Sequence, residues 1–207
     1  MKNIIINGLP EWPKFIFAHG AGAGMDHPFM ETIASELEKH QICVIRFDFP
    51  YMEQQKELNK KRPPDRAPKL LEAYQQIIKE YANDQPIIIG GKSMGGRMAS
   101  LLEQDDLVKG VACLGYPFHP PGKPEKFKGE HLAQFEKPCL ILQGERDTFG
   151  KREEFEQFSL STSIRVEFIA DGDHSFKPRK SSGATEMGNL ESAASYLAQF
   201  IKETYDA

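Results

Sequence analysis

The 207-residue chain has 26 lysines and arginines against 30 aspartates and glutamates, a formal net charge of −4, and 40% hydrophobic residues. These values predict one folded domain, 1–207, with a substantial core. The charges are mixed along the chain and no apolar run approaches a membrane span, so a basic nucleic-acid surface and a transmembrane segment are both excluded.

The first apolar run, Asn3–Asn7, reads as a strand and is too short for a signal peptide. Lys14–Ala18 is a second strand, followed by His19-Gly20-Ala21-Gly22-Ala23-Gly24. Small residues there let backbone amides turn inward toward a developing negative charge. Asp26 is positioned to cap a helix running to about Glu38, with Phe29, Ile33 and Leu37 on one face. Ile42–Phe47 is the third strand. Arg62-Pro63-Pro64-Asp65-Arg66 reads as a rigid turn in which Asp65 caps the next helix, whose apolar stripe is Leu70, Tyr74, Ile77, Ile78 and Tyr81. Arg62 and Arg66 are also candidates for binding a substrate carboxylate or phosphate.

Pro86–Gly90 is a strand, and Arg97–Leu102 is helix-like. Between them stands Gly91-Lys92-Ser93-Met94-Gly95. Strand, G-x-S-x-G, helix is the context of a nucleophile elbow, in which glycines relieve crowding around a sharp reversal with the serine at its tip. A phosphate-binding loop ending in Gly91-Lys92-Ser93 would need glycine at position 86. Pro86 stands there, with no amide hydrogen to offer.

Val108–Leu114 is a strand, and the stretch from Tyr116 to Lys128 a proline- and glycine-rich loop in which His119 and Lys123 could border a pocket. Cys139–Gln143 is a strand, with Asp147 just beyond Gly144. Ile164–Ile169 is another, with His174 in the loop behind it. Leu190, Ala193, Ala194, Leu197, Phe200 and Ile201 mark a terminal helix. Strands alternating with helices predict an α/β protein with a mostly parallel sheet, helices on both faces and no large cap domain. The three cysteines, Cys43, Cys113 and Cys139, are odd in number and lie in strand-like runs. They read as buried free thiols of a reducing, cytoplasmic compartment. No cluster with metal-ligand spacing is present, and no cofactor is expected.

In a parallel sheet, the loops after the strands share one edge. Ser93, Asp147 and His174 are therefore expected to meet there. The histidine would take the serine proton, and the aspartate would orient the imidazole. Glu145, Asp171 and Asp173 are alternative acids. The amides of Ala21 and Met94 are the expected oxyanion donors, with Gly22 next in line.

With these residues in view, the chain resembles the α/β-hydrolase superfamily over nearly its whole length. More narrowly it is similar to a small capless group within it. The likeness rests on His19–Gly24 with Asp26-His27-Pro28-Phe29-Met30, Arg46-Phe47-Asp48-Phe49-Pro50-Tyr51, Arg62–Arg66, Gly115–Lys123 with Pro124, and Asp171–Phe176. Relatives in that group include a testis-expressed protein and a subunit of a histone-acetyltransferase complex. The superfamily resemblance implies a serine-hydrolase fold and chemistry, and the triad with its Gly/Ala-rich donor loop points to a small-molecule acyl ester or thioester as substrate. The chromatin-linked relative implies an alternative, a hydrolase-like scaffold that binds a protein partner. Nothing suggests a nucleic-acid or membrane partner.

Overall fold

The computed structural model describes residues 4–82 and 85–207. The first strand is β1 (Ile4–Asn7); Asn3, expected at its start, lies outside the described residues. Then come β2 (Lys14–Ala18), α1 (Pro28–Lys39), β3 (Cys43–Phe47), α2 (Pro50–Leu58), α3 (Ala67–Ala82), β4 (Ile87–Lys92), α4 (Met94–Ser100), β5 (Val108–Leu114), β6 (Cys139–Gly144), β7 (Ile164–Ile169) and α5 (Glu186–Asp206). Short 3₁₀ turns cover Glu130–Gln134 and Arg152–Gln157. The strands form one sheet in the order β1-β3-β2-β4-β5-β6-β7. Among the described residues, only β1 runs antiparallel to its neighbour, so the six remaining strands deliver their following loops to the same edge.

The inner strands β2, β4, β5 and β6 are mostly apolar on both faces because both faces are covered. Along β2, Ile16 and Ala18 face a core shared with Tyr74 and Ile77 of α3 and Met98 of α4. Phe15 and Phe17 face the opposite core, with Ile33 of α1 and Leu197 of α5. Each fully buried Ile, Leu or Phe contributes roughly 1.5–3 kcal/mol. Among the described residues, no helical cap is inserted over the sheet edge.

Three local readings are corrected. His27, not Asp26, caps α1: its Nδ1 accepts the Phe29 N–H at 3.2 Å, and Pro28 stands at the first helical position. Asp26 is drawn instead to Lys56, at 2.9 Å. Asp65 does not cap α3; its carboxylate accepts from Lys69 at 3.0 Å. The chain leaving β3 also forms α2, a helix whose only buried residues are Tyr51 and Met52, too few to give a readable stripe.

The central strand β4 runs two residues further than expected. Gly90 and Gly91 pair with Phe17 and Ala18 on one side and with Ala112 and Cys113 on the other. The chain then reverses at Ser93, which has φ 50° and ψ −113°. Such a backbone costs on the order of 1–3 kcal/mol for a residue with a Cβ, and it persists because its surroundings over-determine it. Gly91 and Gly95 show how. A Cβ on Gly91 would lie 2.4 Å from the Gly95 carbonyl carbon, and one on Gly95 would lie 2.5 Å from the Ala18 carbonyl oxygen. With hydrogens there, α4 packs directly on β4 and β2, and Ser93 is left at the tip.

Candidate active site

Three loops from the shared edge converge on Ser93. Its hydroxyl lies 2.9 Å from His174 Nε2. His174 Nδ1 lies 2.8 Å from Asp147 Oδ2. An ionised carboxylate only accepts, so the imidazole proton sits on Nδ1 and Nε2 is left to accept from the serine hydroxyl.

Asp147 is fully buried in the turn after β6. Its Oδ1 accepts the Phe149 N–H at 2.9 Å, which fixes the turn, and its Oδ2 also accepts from Gln143 Nε2 at 2.9 Å. Gln143 is itself locked. Its Oε1 accepts the Tyr116 N–H at 2.8 Å, and its Nε2 also points to the Tyr116 and Gly150 carbonyls. His174 sits in a loop pinned at several points. Asp171 binds the Arg179 side chain, Asp173 accepts the N–H groups of Ser175 and Lys177, and Asn189 of α5 donates to the Phe176 carbonyl. The Phe149 ring lies against the imidazole, centroids 4.3 Å apart. Burial pulls the His174 pKa below the usual imidazole value; the Asp147 hydrogen bond opposes this, and the charge of Lys92 adds to it. The alternative acids are engaged elsewhere: Glu145 with Arg152 and the Asp171 amide, Asp171 with Arg179, Asp173 within its own turn.

The loop after β2 is held from beneath. His19, fully buried, accepts the Phe49 N–H on Nε2 at 3.0 Å and donates from Nδ1 to the Gly20 carbonyl. Burial lowers its pKa, so the neutral ring is favoured. Arg46 donates to the Met25 carbonyl, and Asp48 accepts the Met25 N–H and the Lys56 ammonium. The Tyr51 hydroxyl is shared between the Gly20 and Ala21 carbonyls, at 3.2 and 3.0 Å. In a trans peptide the N–H points opposite to the C=O. The Ala21 and Gly22 amides are therefore turned away from Tyr51. Among the described residues, neither these amides nor that of Met94 meets a protein acceptor.

A cavity of about 320 Å³ opens over Ser93 and His174, walled by Ala21, Gly22, Ala23, Phe29, Met30 and Phe149, with His27 and Lys92 also in its lining. Of the residues singled out in the sequence, Ser93, His174, Ala21 and Gly22 line this cavity, with Asp147 buried behind the imidazole. Arg62 and Arg66 are exposed on the connection after α2, and neither is part of the wall. His119 is buried away from it, between Glu154 at 3.1 Å and the Pro120 carbonyl, and Lys123 is exposed. Gln143, Tyr51 and Lys92 were not assigned roles from sequence. A polar residue ending an otherwise apolar strand was the available signal for Gln143.

The family model for the alpha/beta hydrolase domain matches residues 11–202. The chain belongs to the alpha/beta hydrolases. Solved structures share this alpha/beta hydrolase's fold at low identity. A monoacylglycerol lipase from Paleococcus ferrophilus superposes with a TM-score of 0.74 at 13% identity, covering 99% of each chain. A thermophilic esterase from Thermogutta terrifontis gives 0.74 at 14% identity, over 98% of this chain and 93% of the other. The thioesterase domain from the curacin biosynthetic pathway gives 0.67 at 14% identity, over 97% and 94%. Among the described residues of this hydrolase, no helix is long and apolar enough to cross a membrane.

Proposed function

We propose that this hydrolase cleaves a small carboxylic ester or thioester through an acyl-enzyme on Ser93. The observation that carries the reading is the unbroken chain of hydrogen bonds from Ser93 Oγ through the His174 ring to Asp147. Ser93 Oγ attacks the carbonyl carbon while its proton passes to His174 Nε2. The carbonyl π pair moves onto oxygen, and the Ala21 and Met94 amides receive that charge, with Gly22 adjacent. When the tetrahedral intermediate collapses, the bond to the alcohol or thiol breaks and His174 returns the proton to the leaving group. Water then repeats the sequence, releasing the acid and restoring Ser93. Asp147 keeps the tautomer right and stabilises the transient imidazolium without itself taking the proton.

The size and chemistry of the cavity support a small acyl compound. About 320 Å³ lies at the low end of the ~300–1,000 Å³ range of small-molecule sites. Phe29, Met30 and Phe149 offer apolar surface to an acyl chain or an alcohol, next to the serine. The lipase, esterase and thioesterase neighbours are consistent with this class of chemistry. Three buried free thiols support a cytoplasmic setting.

A fluorophosphonate probe is expected to label Ser93, and short p-nitrophenyl esters or acyl thioesters should be turned over faster than long-chain ones. Well-folded protein that neither labels nor turns over any member of such a panel would leave the binding-scaffold reading in its place. Tyr51→Phe tests the donor loop. Removing the hydroxyl frees both peptide planes, so kcat should fall on the order of tenfold with KM nearly unchanged, less than the ~10²–10³ lost when an oxyanion donor is deleted outright. Steady-state kinetics on the best ester would check it, and a KM effect without a kcat effect would count against the assignment.

A further inference from the structure

The residue at the variable position before the serine is a lysine, and its side chain goes inward. Lys92 ends β4, and its ammonium donates to the backbone carbonyl of His174. It faces the rings of Phe29 and Phe176, with centroids 5.4 and 5.9 Å away. Gly115, at φ 64° beyond β5, makes the room. A Cβ on Gly115 would lie 2.7 Å from Lys92 Nζ, 3.0 Å from the His174 carbonyl oxygen and 3.3 Å from His174 Nδ1. The ammonium and the imidazole thus lie against the same bare Cα. Among the described residues, no carboxylate comes within ion-pair distance of Lys92. A buried cation without a close counter-ion is costly, and a methionine of similar length would fill the space without that cost.

The geometry points to Lys92 as a positioning residue: its ammonium holds the backbone of His174 within reach of Ser93. This rests on the Ser93–His174–Asp147 reading above. The charged groups around the imidazole are Asp147 from the turn after β6, Asp173 from its own loop and Lys92 from β4; His27, before α1, lines the same cavity. The carboxylates favour the imidazolium, and Lys92 disfavours it. Burial lowers the Lys92 pKa itself to about 8, with Asp147 and Asp173 opposing the shift, so the charge is present across the acidic and neutral range.

The sign is fixed. Activity needs the free base, so kcat/KM falls as pH drops through the His174 pKa, which Lys92 pushes down. Removing the charge must move that acid limb to higher pH. Lys92→Met removes both charge and donor, whereas Lys92→Gln keeps an N–H donor without the charge. With Lys92→Met the acid limb should rise and plateau kcat should fall on the order of 10–10²-fold, the scale of a slightly misplaced catalytic group. With Lys92→Gln much of the plateau should return while the limb stays displaced. Both variants should still be labelled by a fluorophosphonate, more slowly than wild type. Labelled variants with wild-type plateau and limb would overturn the inference while leaving the serine-hydrolase reading intact; failure of wild type itself to label would overturn that reading instead. If Lys92→Met does not fold, the limb of Lys92→Gln decides alone, checked by direct NMR titration of the His174 ring.

Discussion

Ser93→Ala is expected to lower kcat by on the order of 10⁶-fold toward any ester that the wild type cleaves, and to leave the fold in place. The two halves of this expectation have separate origins. Chemistry is lost because, among the described residues, Ser93 carries the one hydroxyl bonded to the His174 base: the described cysteines are buried, and Lys92 is committed to the His174 carbonyl. Stability is kept because, among the described residues, the serine hydroxyl's side-chain partner is His174 alone, and Ala has the same Cβ at φ 50°, so the change should stay within roughly 1 kcal/mol. Steady-state turnover and circular dichroism on the same preparation test both halves. Wild-type-like turnover would remove Ser93 from the mechanism. Loss of the fold would mean that the hydroxyl holds the elbow, a role for which no contact is seen among the described residues.

The features legible in the sequence are those encoded locally. Cys139–Gln143 is legible as a strand because a strand covered on both faces is continuously apolar, as Cys139–Leu142 is. Gly91 and Gly95 could be read as an elbow because the crowding at the reversal acts on neighbours in sequence. The edge shared by Ser93, Asp147 and His174 followed from parallel strands alone. Features set by distant partners were hidden. Asp26 looks like a helix cap until Lys56 competes for its carboxylate and Pro28 moves the helix start to His27. Arg62 and Arg66 read as candidates for a substrate carboxylate or phosphate because α2 leaves no stripe in the sequence; that helix takes up the chain leaving β3, and the arginines follow it on an exposed connection. His119 looked available for a ligand because Glu154, 35 residues away, gives no sign in sequence of being its partner. Lys92 stood at a position where the motif admits any residue, so its burial against Gly115 could not be foreseen. The segment Arg46–Tyr51 could be seen as a signature but not explained. In the fold it is the underside of the Gly20–Met25 loop, joined to it through Arg46, Asp48 and Tyr51.

Asp147→Asn should cost about 10⁴-fold in kcat, although it alters one atom. Asp147 is surrounded by donors: Phe149 N–H at Oδ1, and Gln143 Nε2 and His174 Nδ1 at Oδ2. An amide has one acceptor oxygen and one NH₂. With its oxygen toward His174, the NH₂ meets the Phe149 N–H, and the turn that presents residue 147 is disturbed. With its oxygen toward Phe149, the NH₂ faces Gln143 and the imidazole. Gln143 cannot reverse to accommodate it without stranding the Tyr116 N–H and the Tyr116 and Gly150 carbonyls. The imidazole can change instead, by moving its proton to Nε2. That tautomer points a hydrogen at Ser93 and can no longer accept one. The mismatch left in a fully buried site should also lower stability by about 1–3 kcal/mol, visible as a reduced Tm. Raising the pH should not restore kcat, because the defect lies in the tautomer rather than in protonation. A variant with kcat within about tenfold of wild type would show that Asp147 is not the orienting acid. That duty would then fall to Glu145, Asp171 or Asp173, each of which would have to leave the partners that now hold the His174 loop in shape.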